Sequence, residues 1–125
     1  MKKIRLLFII FFICCILTKC QNEENSQISK NISFIGKIID KQTTKPIDSV
    51  KIILGENMGS FMYGDIAYYL SDSIGNYNLH FNPVASKSYS LEFYKKGYKS
   101  DIININLYES SQFYSPKLEK VIIEQ

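Results

Sequence analysis

The sequence predicts an all-β fold, a seven-stranded antiparallel β-sandwich over residues 31–125. Short apolar runs in this region alternate with polar residues at a period of two, as in strands that bury one face. Gly, Pro, Asn and Asp separate the runs, and the apolar residues do not recur at the period of an amphipathic helix. Many short strands in one small domain favour two sheets packed face to face.

The first predicted strand, Ile32–Asp40, carries apolar residues on both faces and is therefore expected near the centre of a sheet. Pro46 introduces the second strand, Ile47–Leu54, which Gly55 is expected to end. Alternation points Val50, Ile52 and Leu54 of that strand inward. Five more strands are expected at about residues 66–70, 77–81, 89–93, 102–107 and 118–123.

Tight turns are predicted beside two of these strands. Gly75 is placed where a tight turn needs a positive φ, which glycine adopts without steric cost, and Gly97 is placed at the bend of a second turn. Asp72 is expected to cap its turn through side-chain bonds to the following amides. Tyr98 is expected to lay its ring over the sandwich edge with its hydroxyl bonded to the backbone. Both residues are interpreted as structural.

The N-terminus carries an export signal. Met1–Arg5 is cationic, and Leu6–Leu17 is an uninterrupted apolar run of 12 residues. A membrane-spanning helix needs about 20 such residues, whereas the apolar part of a secretory signal needs about 7 to 15. Residues 1–19 are therefore predicted to be a cleaved signal peptide.

The segment Leu17–Cys20 resembles a bacterial lipobox, in which the cysteine becomes the lipid-bearing first residue of the mature chain. Lys19 departs from the small residue that usually precedes the cysteine. The resemblance implies that Cys20 carries a diacylglyceryl group and further acyl chains such as palmitate, which hold a protein in the bilayer at about 0.8 kcal/mol per buried methylene. The predicted location is the outer membrane. The alternative is that Cys20 stays unmodified.

Residues 20–30 are predicted to form a flexible acidic tether, because they are polar and lack periodicity. The stretch Gln21–Asn25 resembles an acidic surface-export tag that follows the lipid cysteine in some bacteria with two membranes. Display at the cell surface is therefore one expectation, and a plain solvated linker is the other.

Charge and cysteine content exclude some functions. The chain has a net charge of +3, but without the basic residues of the signal it has 11 basic and 12 acidic residues, hence −1. Nucleic-acid binding needs a clustered basic surface and is not expected. All three cysteines, Cys14, Cys15 and Cys20, precede the domain, so no disulfide is expected within it.

Five segments resemble, in order, the carboxypeptidase regulatory-like domain, which has a transthyretin-like sandwich. They are FIGKIID from Phe34, TTKPIDSV from Thr43, KIIL from Lys51, SDSIGNYNL from Ser71 and SLEFYKKGY from Ser90. The resemblance covers about residues 32–107 and implies a non-catalytic accessory or protein-interaction module, tethered in the envelope beside a protein partner. Residues 56–70 and 108–125 depart from the pattern.

Catalysis and metal binding are not expected, and no cofactor is predicted. His80 is the only histidine, the domain has no cysteine, and a zinc site needs three or four such ligands. Asp65, Asp72 and Asn76 are oxygen donors, but they lack the dense spacing of a calcium loop.

The segment 58–69 is the preferred contact surface. Its predicted contact residues are Phe61, Met62, Tyr63, Tyr68 and Tyr69. Aromatic rings with polar tips suit a protein partner, or stacking on a sugar in the alternative function of a carbohydrate- or small-ligand-binding surface lipoprotein. The competing interpretation is that these side chains fold back over one end of the sandwich.

Overall fold

A computed structural model describes residues 27–57 and 63–124, with the side chain of Tyr63 left out. Within these ranges the protein is all-β and contains no helix. The strands are β1 (Ile32–Lys37), β2 (Ile39–Asp40), β3 (Lys51–Asn57), β4 (Tyr63–Leu70), β5 (Asn76–Phe81), β6 (Ser88–Tyr94), β7 (Asp101–Asn104), β8 (Ser111–Phe113) and β9 (Lys117–Leu118). The predicted signal peptide and most of the predicted tether lie outside the described residues.

Two larger sheets and one small one form the sandwich. One sheet has the order β5-β1-β8, the second has the order β4-β3-β6-β7, and β2 pairs with β9. The predicted central position of the first strand is confirmed, because β1 lies between β5 and β8. The expectation of seven antiparallel strands differs from the structure, which has nine strands in its described part and two parallel pairs.

The parallel pairs come from the C-terminal part of the chain. After β7, the chain crosses to the opposite sheet and runs beside β1 and β2 in their own direction. Of the predicted strand 118–123, only Leu118 lies in an observed strand, β9 (Lys117–Leu118). Strand β8 was not predicted, since Ser111–Phe113 has no apolar alternation; Phe113 is 80% exposed.

The core lies between the two larger sheets. Alternate residues of β1, β3, β5 and β6 supply it, and the predicted inward positions Val50, Ile52 and Leu54 are all buried. Tyr77 of β5 and Phe93 of β6 bring ring centroids to 5.3 Å across the two sheets. Burial of these apolar surfaces is the main favourable term in the stability of such a domain.

The second predicted strand begins and ends later than expected. It runs from Lys51 to Asn57 and continues through Gly55, because Gly55 pairs with Ser90 on one side and Asp65 on the other. A glycine inside a strand often marks a bulge, and the register between β3 and β4 shifts at this residue.

The predicted turn chemistry is confirmed at two glycines and at Asp72. Gly75 and Gly97 have φ values of 78° and 87°. The Asp72 carboxylate accepts hydrogen bonds from the amides of Ile74 and Asn76, at 3.0 and 2.9 Å. Tyr98 differs from expectation: its hydroxyl donates to the Asp40 carboxylate, not to the backbone.

Candidate functional site

The outward-facing side of the four-stranded sheet, here called the outer face, exposes large apolar side chains. Strand register aligns Ile53 of β3 with Tyr68 of β4 and Glu92 of β6, and Glu92 in turn with Ile102 of β7. Exposed large side chains on this face are Tyr68, Leu70, Tyr94 and Ile102, at 56%, 68%, 45% and 63%. Extended apolar patches on small proteins often mark contact surfaces.

A groove of about 300 Å³, here called the Gly55 groove, crosses the middle of this face. Its lining residues are Ile53, Gly55, Asp65, Ser90, Glu92, Ile102 and Asn104. A Cβ atom on Gly55 would approach the Ser90 Oγ to 3.1 Å. The missing side chain of Gly55 therefore deepens the floor of the groove.

A strand irregularity positions one wall of the groove. The register between β3 and β4 shifts between Leu54 and Gly55, so that Leu54 faces Ala67 while Gly55 faces Asp65. An extra residue of this kind re-aims the side chains of the bulged strand. Asp65 consequently lies beside Gly55 on the outer face.

The groove contains two carboxylates. The Tyr68 hydroxyl donates to Asp65 Oδ2 at 3.0 Å, which fixes that carboxylate, and this hydrogen bond raises the pKa of Tyr68. The Lys51 ammonium lies 4.2 Å from the Tyr68 ring centroid. Among the residues that the structure describes, the ion pairs involve other carboxylates, and neither Asp65 nor Glu92 is in one.

The structure separates two of the predicted contact residues. Tyr68 is exposed on the outer face, whereas Tyr69 packs against the core and donates its hydroxyl to His80 O at 3.1 Å. Tyr63 begins β4 and pairs through its backbone with Asn57. Adjacent residues of a strand point to opposite faces, so Tyr68 and Tyr69 belong to different surfaces.

Three predicted functional residues, Phe61, Met62 and Cys20, lie outside the described residues, so the predicted contact segment is described only in part.

Sequence reasoning missed most of the groove. From the sequence, Gly55 is interpreted as a strand end. Ser90 and Glu92 lie on one strand and Asn104 on another, and they share no motif. The available signal was a glycine inside an apolar alternation, which often marks a bulge or a close approach. The partners of that glycine depend on strand register.

The described residues hold no group of three or more His, Cys, Asp and Glu side chains arranged to bind a metal ion. His80 is exposed on β5, an edge strand of its sheet. In the same ranges, no helix is long and apolar enough to cross a membrane.

No protein-family model matches the sequence, and a search of curated proteins finds no match. Several solved structures are similar to this chain in fold. The C-terminal domain of the shaft pilin SpaA from Lactobacillus rhamnosus GG is 11% identical, with a TM-score of 0.51 over 74% of this chain and 100% of that one. A pilus 2b backbone protein of group B streptococcus is 14% identical, with a TM-score of 0.50 over 70% of this chain and 40% of that one.

A 9R-lipoxygenase from Cyanothece PCC8801 has a TM-score of 0.51 at 12% identity, over 81% of this chain. The chain spans only 18% of the lipoxygenase. At these identities the likeness concerns the fold alone, and it places the domain among β-sandwiches that include pilin domains.

Proposed function

We propose that this protein is a non-catalytic accessory module of the cell envelope, anchored by lipid on Cys20 to the outer membrane, which binds a protein partner through the outer face. The observation that carries the proposal is the apolar outer face with the Gly55 groove at its centre. Apolar and aromatic side chains around a central depression are typical of protein contact surfaces.

Two further considerations support this proposal. Residues 32–107 resemble the carboxypeptidase regulatory-like domain, and the β-sandwich fold agrees with the transthyretin-like architecture that the resemblance implies. The lipobox-like segment at Leu17–Cys20 supports a lipid anchor. Fold likeness is an associational argument, so the weight rests on the outer face.

A carbohydrate-binding function is the second candidate. Tyr68 is exposed beside a groove that contains hydroxyl, amide and carboxylate groups, all of which can bond sugar hydroxyls. In this version the aromatic side chains of the segment 58–69 would also contact the sugar. Glycan binding that disappears in the double variant Phe61→Ala and Tyr63→Ala, with the fold intact, would favour it.

Photo-cross-linking in intact cells tests the first proposal. A benzophenone amino acid is placed at Ile102 on the outer face of a tagged full-length chain. The matched control carries the same group at Phe113, which is exposed on the other sheet. We expect one reproducible envelope protein to be captured from position 102 and not from position 113. Equal capture from both positions, or none from position 102, would contradict the proposal.

A further inference from the structure

The Gly55 groove joins negative charge to apolar walls. Asp65 and Glu92 stand on the two strands that flank β3, so they border the groove from opposite sides. Ile53 and Ile102 supply apolar surface between and beside them. This combination fits a side chain with an apolar stem and a cationic head.

From this complementarity we infer that the Gly55 groove receives one arginine or lysine side chain from an extended segment of the protein partner. The volume of about 300 Å³ is at the small end of ligand pockets, which suits one side chain better than a larger ligand. The methylene stem would lie against Ile53 and Ile102. The cationic head would lie over Gly55, between the two carboxylates.

Arginine fits this groove better than lysine. Its guanidinium carries five N–H donors, and the groove offers the Asp65 and Glu92 carboxylates together with the Ser90 hydroxyl and the Asn104 amide oxygen as acceptors. Asp65 is already held by the Tyr68 hydroxyl at 3.0 Å, so one acceptor is fixed before the partner arrives. Preorganised acceptors reduce the entropy lost on binding.

The same contacts favour a cation over a sugar. The Lys51 ammonium covers one face of the Tyr68 ring, at 4.2 Å from its centroid, and the Tyr68 hydroxyl is committed to Asp65. Stacking on this ring is therefore restricted. The two carboxylates, by contrast, have no cation in contact in the part of the chain that the structure describes.

The inference rests on the proposed binding function of the outer face, and it is tested separately from it. Isotope-labelled full-length chain in a zwitterionic detergent without a sugar headgroup is titrated with three probes and followed by NMR. The probes are the peptides acetyl-Val-Arg-Val-amide and acetyl-Val-Gln-Val-amide, and the sugar diacetylchitobiose. We expect the arginine peptide to shift the amide signals of Gly55, Ser90 and Asn104 with saturation.

The glutamine peptide should bind at least about tenfold more weakly, because charge-assisted hydrogen bonds are about twice as strong as neutral ones. Raising the salt concentration should lower the affinity for the arginine peptide, since salt screens exposed charges. The Glu92→Gln variant should bind the arginine peptide about threefold more weakly or worse. The matched control Glu119→Gln removes the same charge from an exposed surface pair with Lys41 and should leave binding unchanged.

Three results would overturn the inference. They are equal binding of the two peptides, shifts with the sugar alone, and an unchanged affinity in Glu92→Gln while its NMR spectrum shows an intact fold. If the arginine peptide does not bind but cross-linking from Ile102 succeeds, the outer face is a contact surface, and only the inference that the groove receives a basic side chain is wrong. Peptide binding without a cross-linked partner would leave the inference standing and count against the envelope proposal.

Discussion

The Asp40 carboxylate joins three distant parts of the chain. Its Oδ1 accepts the amide hydrogens of Gln42 at 2.8 Å and Thr43 at 2.9 Å, and its Oδ2 accepts the Tyr98 hydroxyl at 2.9 Å. The Lys120 ammonium lies 3.9 Å from Oδ2. The hydrogen bond from the Thr43 amide makes the largest contribution to lowering the pKa of Asp40. Together these partners lower that pKa from 3.8 to about 2, although the side chain is buried.

Asp40→Asn is expected to destabilise the protein at neutral pH and to change its response to acid. A carboxylate with a lowered pKa stabilises the folded state above its unfolded pKa, and this contribution is lost as the pH falls through the folded value. The free energy of unfolding of the wild type should therefore fall more steeply than that of Asp40→Asn between pH 3.8 and about 2. Urea unfolding across this window measures the difference.

Asp48→Asn is the matched control, because Asp48 is exposed and, among the described residues, its carboxylate accepts a hydrogen bond only from the neighbouring Ser49 hydroxyl, at 3.4 Å. Its curve should run parallel to that of the wild type. If the free energy of unfolding of Asp40→Asn also ran parallel to that of the wild type across this pH range, the negative charge of Asp40 would contribute nothing to stability.

At the scale of the strands, Gly36 is where two elements come closest. A Cβ atom on this residue of β1 would lie 1.7 Å from the carbonyl oxygen of Tyr114, in the link between β8 and β9. The Tyr77 hydroxyl of β5 donates to the same carbonyl at 2.5 Å. Three segments therefore meet where only a glycine leaves room.

Gly36→Ala is expected to cost about 3 kcal/mol or more, because the added methyl must displace backbone and not a flexible side chain. Urea unfolding provides the measurement. Gly97→Ala is the comparison: nothing lies within 4 Å of its added Cβ, and only its φ of +87° is strained, so about 1 kcal/mol is expected. Equal losses in the two variants would contradict the close approach at Gly36.

At the scale of the whole molecule, the proposed anchor and the binding face are separate parts of the chain. Cys20→Ser is expected to move the protein from the membrane fraction to the soluble fraction and to abolish incorporation of labelled palmitate, because the lipid group is attached through the thiol. Cell fractionation with palmitate labelling measures both effects. Cys15→Ser, a change within the predicted signal, should leave them unaltered. Unchanged membrane retention and labelling in Cys20→Ser would contradict the lipid anchor.

Local pattern predicted much of the fold. Alternation identified the buried residues of β3, and turn chemistry identified Gly75 and Gly97, because both depend on neighbours along the chain. Strand ends were less predictable. Strand β3 continues through Gly55 since β4 and β6 hold its backbone from both sides, and no local signal reports such partners.

By itself the sequence determined an all-β domain, its principal core residues and its turns, since side-chain alternation and glycine conformation are local properties of the backbone. The tertiary structure alone decided that β8 and β9 run parallel to β1 and β2, and which face of β4 is covered, so that Tyr69 packs against the core and Tyr68 is exposed. It also brought Gly55, Asp65 and Glu92 together. Register between distant strands sets these arrangements, and it follows from the packing of the whole domain.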